Sequence, residues 1–303
     1  MAGSDYFDGL KDAAARVAAV LSEKGVAADR LCFGGEGIAP SKKPRIPVDA
    51  NSNFLGNRAM GDWAETALKN LLLSSSSDLQ PVHYGDSNQI AAGDEGFKDY
   101  YLSELEATRE FGKRPDLLLY DATVEVAGDE FSEKSIAESE PLARKALAAI
   151  EVRSSKFKAL QYMRVREQER EAGTKVDRAC PSFTVKVEDL IIVYRRMERF
   201  QVPECYTQVF FDSIFGINFL QIFEVIGSGK GFKIETPRQS QEKATIMIPI
   251  TSGHQIARCV APPVFETVVR ETRLGRVDAY VAPVGGEFLL DPAALNAVLF
   301  PQA

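Results

Sequence analysis

Histidine and cysteine are scarce in this 303-residue chain, which holds His83, His254 and four cysteines. Cys32, Cys180, Cys205 and Cys259 lie far apart with no C-x-x-C spacing. A structural zinc site therefore has little to build from, and the four read as reduced, mostly buried thiols. Long apolar runs are missing too: nothing approaches the roughly 18 consecutive apolar residues of a membrane span. The opening Met-Ala-Gly-Ser-Asp-Tyr-Phe-Asp is acidic and lacks the basic-then-apolar order of a secretory signal. The expectation is a cytoplasmic protein. A basic excess is absent as well, since 36 Lys and Arg stand against 43 Asp and Glu for a net charge of −7. That argues against broad coating of nucleic acid but leaves room for a local basic lining.

What is there suits a soluble globule with a real core: 45% hydrophobic and 26% charged residues. Helical spacing predicts helices over residues 5–24, stopped by Gly25, and over 53–73, with Met60, Trp63, Ala64, Leu68, Leu71 and Leu72 as the buried stripe. Residues 33–52 read as a loop with a basic cluster, Ser41-Lys42-Lys43-Pro44-Arg45, that is either solvated or a DNA-touching arm. Residues 81–113 show few strand signals beyond a short helix at 99–109. Strands are expected at 117–120, with 123–126 as its partner, then at 183–187, 205–211 and 244–250, and as a late hairpin of 277–284 with 287–290. Helices are expected over 160–171, 187–199 and the apolar stretch 213–226. Gly227-Ser228-Gly229-Lys230-Gly231 fails as a phosphate loop, because Glu224 and Gly231 stand where Gly and Ser/Thr are needed. Interleaved helices and strands favour one α/β domain with a central mixed β-sheet flanked by helices.

The chemistry concentrates between Arg114 and Lys158. Pro115, which has no N–H to give a ladder, precedes Asp116 and the apolar run Leu117-Leu118-Leu119-Tyr120, as at a strand start. Further on comes Ala148-Ala149-Ile150-Glu151-Val152-Arg153-Ser154-Ser155. Strand alternation puts Glu151 and Arg153 on one face and Ile150 and Val152 on the other. Two acids and a cation can thus meet at the ends of neighbouring strands, a cradle for a divalent metal beside a phosphate.

The Pro115-Asp116 and Glu151-Val152-Arg153 pairing resembles the PD-(D/E)XK nucleases. Its Glu-Val-Arg-Ser-Ser ending is similar, more narrowly, to restriction endonucleases of the AccI type, where Arg replaces the usual Lys. The resemblance covers the central half of the chain. It implies a restriction-endonuclease-like core over about 53–226, in a single nuclease domain of residues 1–303. On that reading the segment 1–52 and the strands of 227–303 are additions. It implies a type II restriction endonuclease that hydrolyses double-stranded DNA at a short palindrome with Mg²⁺, held by Asp116, Glu151 and Glu65. Glu65 enters through a Gly-x-x-x-Glu helix; otherwise it is a helix-border residue paired with Lys69. Arg153 would stabilise charge on the phosphate, since Arg cannot serve as a base. Lys156 could supply the missing amine, but alternation places it on the other face unless the strand ends at Ser155. Lys156, Lys158, Gln161, Arg164, Arg166, Lys230, Lys233 and Arg238 are the candidate DNA contacts. A homodimer matches a palindrome, no membrane partner is expected, and a DNA methyltransferase would belong to the same system. A structure-specific repair or mobile-element nuclease, and a non-catalytic DNA-binding protein on a nuclease fold, are the alternatives.

Overall fold

The computed structural model describes residues 3–28, 31–33, 52–85, 92, 95–127, 131, 134–173, 180–235, 244–271 and 275–301. The basic cluster 41–45, Lys175, Arg178, Arg238 and Lys243 lie outside the described residues. Eight helices and twelve strands are described: α1 (Gly3–Glu23), α2 (Ser52–Ser75), β1 (Leu79–His83), α3 (Phe97–Phe111), β2 (Leu117–Asp121), α4 (Ile136–Ala143), β3 (Ala148–Ser154), α5 (Ala159–Glu171), β4 (Ser182–Lys186), α6 (Val187–Phe200), β5 (Glu204–Val209), β6 (Ser213–Asn218), α7 (Phe219–Gly227), β7 (Lys233–Glu235), β8 (Thr245–Pro249), β9 (His254–Ala261), β10 (Val264–Glu271), β11 (Val277–Val284), β12 (Glu287–Leu290) and α8 (Pro292–Leu299).

Seven strands form a mixed sheet in the order β1-β2-β3-β5-β6-β9-β12. All its neighbours run antiparallel except β3 and β5, which are parallel. A parallel pair needs a crossover, and the stretch from α5 through α6 provides it. Helices cover both faces. On one, Met60, Trp63, Leu68 and Leu72 of α2 pack on Leu117, Ile150 and Val152. On the other, Leu118, Tyr120 and Ala149 meet Ile136 and Phe200. A third cluster joins α1, α6 and α7 to a small antiparallel sheet of order β4-β8-β7. The α/β expectation with a central mixed sheet flanked by helices is met.

Three element readings are corrected. Residues 213–226 are not one helix: β6 is buried on both faces at all six positions, and α7 begins only at Phe219. A strand without alternation has no period to read. The turn comes from Asn218, whose side chain accepts the Leu220 N–H at 2.9 Å as an N-cap. The partners of β2 are β1 and β3, while 123–126 form no strand. Pro81 hid β1, and the strand tolerates it because it is the sheet edge. β11 and β12 are not a hairpin; β11 pairs with β10, and β12 with β9 at the far edge of the main sheet. The four cysteines are unpaired, with Cys205 buried but Cys32 exposed.

Gly112 fixes how α3 meets α6. It takes φ +84°, and a Cβ there would run into the Ile192 carbonyl oxygen and lie 2.7 Å from Arg196 Cβ. Gly96, at the other end of α3, has φ +78° with open space around it. Both Gly→Ala changes carry the ~1–3 kcal/mol strain of a left-handed non-glycine residue. Gly112→Ala adds a backbone collision, so its denaturant midpoint should fall well below that of Gly96→Ala at equal slope.

Candidate active site

β2 and β3 pair only as far as Leu117 with Ile150. The next β3 amide on that side, Val152 N–H, therefore lacks a strand partner. Asp116 supplies one: its Oδ2 accepts the Val152 N–H at 2.5 Å. The Asp116 backbone is held in turn, because its carbonyl accepts the Tyr84 and Gly85 N–H groups at 3.0 and 3.1 Å. Gly85 lets the two backbones approach closely, since a Cβ would stand 3.0 Å from Asp116 Cα. Asp116 is thus locked to β3 beside Glu151.

Glu151 is 1% exposed, in the middle of β3. Its Oε1 accepts from Lys113 Nζ and lies 3.0 Å from Arg153 Nη2. Its Oε2 is buried, with no hydrogen-bond partner among the described residues. Arg153 Nη2 also donates to Asp189 Oδ2 at 2.8 Å, in the first turn of α6. Parity therefore holds: Glu151 and Arg153 share the α6 face. The parallel register sets Tyr206 beside Glu151 and Gln208 beside Arg153 on that same face.

The electrostatics follow from burying this many charges. Burial, then the neighbouring Glu151, pushes the Asp116 carboxyl well above the ordinary carboxylate range. Glu65, on α2, is pushed up to about 7 by burial first and then by Asp62 and Glu151. Burial works against the charge of Lys113 and of Arg153, but Glu151 is the leading influence that more than offsets it, so both stay firmly cationic. Deeper along the same face, Arg196 and Glu204 are each 1% exposed and 3.9 Å apart, with the Arg196 guanidinium over the rings of Tyr84 and Phe200.

The structure brings together Asp116, Glu151 and Arg153, with Glu65 in electrostatic reach of both acids. It does not bring Lys156 in: that residue is exposed beyond the end of β3, and no described contact joins it to the acids. The Glu65–Lys69 pairing is not among the described ion pairs, whereas His83 Nδ1 lies 3.9 Å from Glu65 Oε2. Lys158, Gln161 and Arg164 are exposed on or beside α5, Arg166 is partly buried there, and Lys230 and Lys233 are exposed near β7. Lys113 and Asp189 escaped sequence reasoning. Lys113 stands three residues before Asp116 on a connector whose path depends on Gly112, so no periodicity points to it.

Fold and site define an α/β protein whose acids and cations collect where its antiparallel strands give way to the parallel pair. The model of the AccI restriction endonuclease family matches residues 35–176 and 170–301. The chain belongs to that family, one of hydrolytic nucleases acting on DNA. No curated protein and no solved structure matches it.

Glu204 offers a pH test of the buried charge. Its pKa is raised from 4.5 to about 8, by burial first and against the pull of Arg196. A raised carboxyl contributes stability in full below its unfolded pKa, and that contribution is lost as pH rises through the folded one. Wild type should therefore lose stability relative to Glu204→Gln between about pH 4.5 and 8, with a constant gap above. Melting both proteins from pH 5 to 9 checks it; parallel curves would show that Glu204 ionises normally.

Proposed function

We propose that this chain is a type II restriction endonuclease that hydrolyses phosphodiester bonds in double-stranded DNA at a short palindrome, with Mg²⁺. We also propose that it works as a single nuclease domain with a PD-(D/E)XK core over about 53–226. The observation that carries the reading is Glu151: a buried carboxylate with one oxygen paired to two cations and the other unsatisfied, beside Asp116. The Glu65 helix precedes the strands that carry Asp116 and Glu151, in the order the nuclease resemblance implies.

Asp116 and Glu151 are the pair that fits Mg²⁺, with Glu65 in electrostatic reach of both. The Glu151 Oε2 orphan is a hard oxygen donor, and the Asp116 and Glu65 carboxyls, pushed up by burial and then by neighbouring acids, are groups a cation would bring back to their charged form. Among the described residues no three His, Cys, Asp or Glu side chains form a metal-holding group. Mg²⁺ asks for less, typically one or two carboxylates completed by water and substrate phosphate. When bound, it would supply an acidified water and charge neutralisation at phosphorus. Lys113 holds Glu151 Oε1, which leaves Oε2 for that role. Asp189 fixes the plane of Arg153, whose side chain is 29% exposed. A guanidinium so fixed and still accessible can stabilise negative charge growing on the scissile phosphate.

Asp116→Asn and Glu151→Gln should abolish cleavage of phage or plasmid DNA in Mg²⁺ while leaving gel retardation intact. The Asn keeps an acceptor for Val152. Arg153→Ala should cost on the order of 100- to 1,000-fold in single-turnover rate, like loss of a preorganised oxyanion donor. Arg153→Lys should retain much of the rate, and the exposed Lys156→Ala should cost far less. Discrete bands support a restriction enzyme, whereas smearing or nicking at DNA structures supports a repair nuclease. Near-wild-type turnover by either acid variant sinks the site.

We infer a homodimer from the ribbon β10–β11. One face lies on α2, where Ser52 Oγ donates to Asp278 Oδ1 at 2.9 Å. The other shows Phe265, Val269, Val277 and Val281, each more than half exposed, with Thr267 and Ala279 between them and only Glu271 charged. A nearly uncharged patch of this kind does not suit phosphate, and it can meet its own copy about a two-fold axis. Sedimentation should show a dimer, and Val269→Lys with Val281→Lys a monomer. A wild-type monomer both free and on its cleavage-site duplex overturns the assignment.

A further inference from the structure

Past the end of β3, the face that carries Glu151 and Arg153 opens into a pocket of about 250 Å³. Gln208, the register partner of Arg153, lines it at 3% exposure, with Ser182 and Thr184 of β4 and the aromatic rings of Phe157 and Tyr162. Its polar side chains are hydroxyls, the Gln208 amide and the Cys180 thiol; none of its lining residues is charged. Phe157 stands at this pocket 56% exposed, between Lys156 and Lys158, which are both exposed. The segment is anchored, since the Phe157 carbonyl accepts the Phe211 N–H at 2.9 Å and the ring meets Tyr162 edge-on at 6.1 Å.

We propose that this pocket receives one nucleobase of the DNA, rotated out of the stack beside the bond to be cut. The proposal rests on the nuclease reading of Asp116 and Glu151. The pocket is smaller than the ~300–1,000 Å³ of sites for drug-sized ligands, so it suits a fragment such as a single base. An uncharged interior disfavours phosphate, while Gln, Ser and Thr offer both donors and acceptors to a base edge. Aromatic side chains stack on any base, and extruded bases are held by that combination of stacking and edge hydrogen bonds. Lys156 and Lys158 flank the ring where the two neighbouring phosphates of an extruded nucleotide would run. Both residues thereby take a role in holding substrate rather than in the chemical step.

The test uses the full chain. Wild type in Mg²⁺ first maps a cut site on phage DNA. Duplexes of that site carrying 2-aminopurine at each position near the cut are then bound by Glu151→Gln. One position should brighten severalfold while the others stay quenched. Adding Phe157→Ala or Thr184→Met should return that position to the free-duplex signal, and Phe157→Leu, which keeps an apolar cover, should retain part of the brightening. Phe157 and Thr184 are exposed, so these changes leave the core intact. If wild type cuts at discrete sites but every position stays quenched, or the pocket variants leave the signal unchanged, the pocket is not a base site and the nuclease reading survives. If wild type cuts no DNA, the nuclease reading fails and this proposal falls with it.

Discussion

A single amide–carboxylate contact organises the site: Asp116 Oδ2 takes the N–H of Val152, the first β3 amide that β2 no longer reaches. Buried backbone donors are almost always satisfied, so the point where two strands part must find a substitute acceptor. Here that substitute is a carboxylate, and a backbone requirement thereby fixes an acid beside Glu151. The same Asp116 is held from behind by the Tyr84 and Gly85 amides. Position and charge are coupled by the fold itself.

The rest of the cluster is charge compensation. Burying Glu151 alone would be costly, and an isolated buried carboxylate would simply take up a proton. Lys113 and Arg153 on Oε1, with Asp189 tying back Arg153, keep it surrounded by opposite charge. The compensation is incomplete: Glu151 Oε2, the Tyr206 hydroxyl and the Arg153 Nε are buried with no partner among the described residues. Breaking one partner of such a set is more destabilising than never having built it. A protein selected for stability alone would fill this space with apolar side chains. Such a buried set, with the Asp116 and Glu65 carboxyls driven upward first by burial and then by neighbouring acids, is a pattern that clusters at functional sites.

The surface divides in a way that matches this interior. Lys156, Lys158 and the pocket behind Phe157 lie beyond the β3 end, and Gln208, the register partner of Arg153, lines that pocket. The ribbon β10–β11 presents a different kind of surface, with Phe265, Val269, Val277 and Val281 exposed on the face turned from α2. A net charge of −7 is compatible with both, because the cations that matter are few and local.

The long amphipathic helices α1 and α2, the strands β2 and β3, and the placing of Glu151 and Arg153 on one face are all legible in the amino-acid sequence. The two helices show a period of 3.6, and Glu151 with Arg153 a period of two, which survive in the sequence whatever packs on them, while β2 is legible only as a short local apolar run bounded by Pro115. Pro115 marked the strand start for the same local reason. Tertiary structure alone decided the rest. β6 is buried on both faces and has no period to show, while β1 carries a proline that only its edge position permits. Lys113 reaches Glu151 because Gly112 lets α3 touch α6, and Asp189 reaches Arg153 from the first turn of α6. Such contacts join residues tens of positions apart through one backbone crossing, and that crossing is a property of the packed chain.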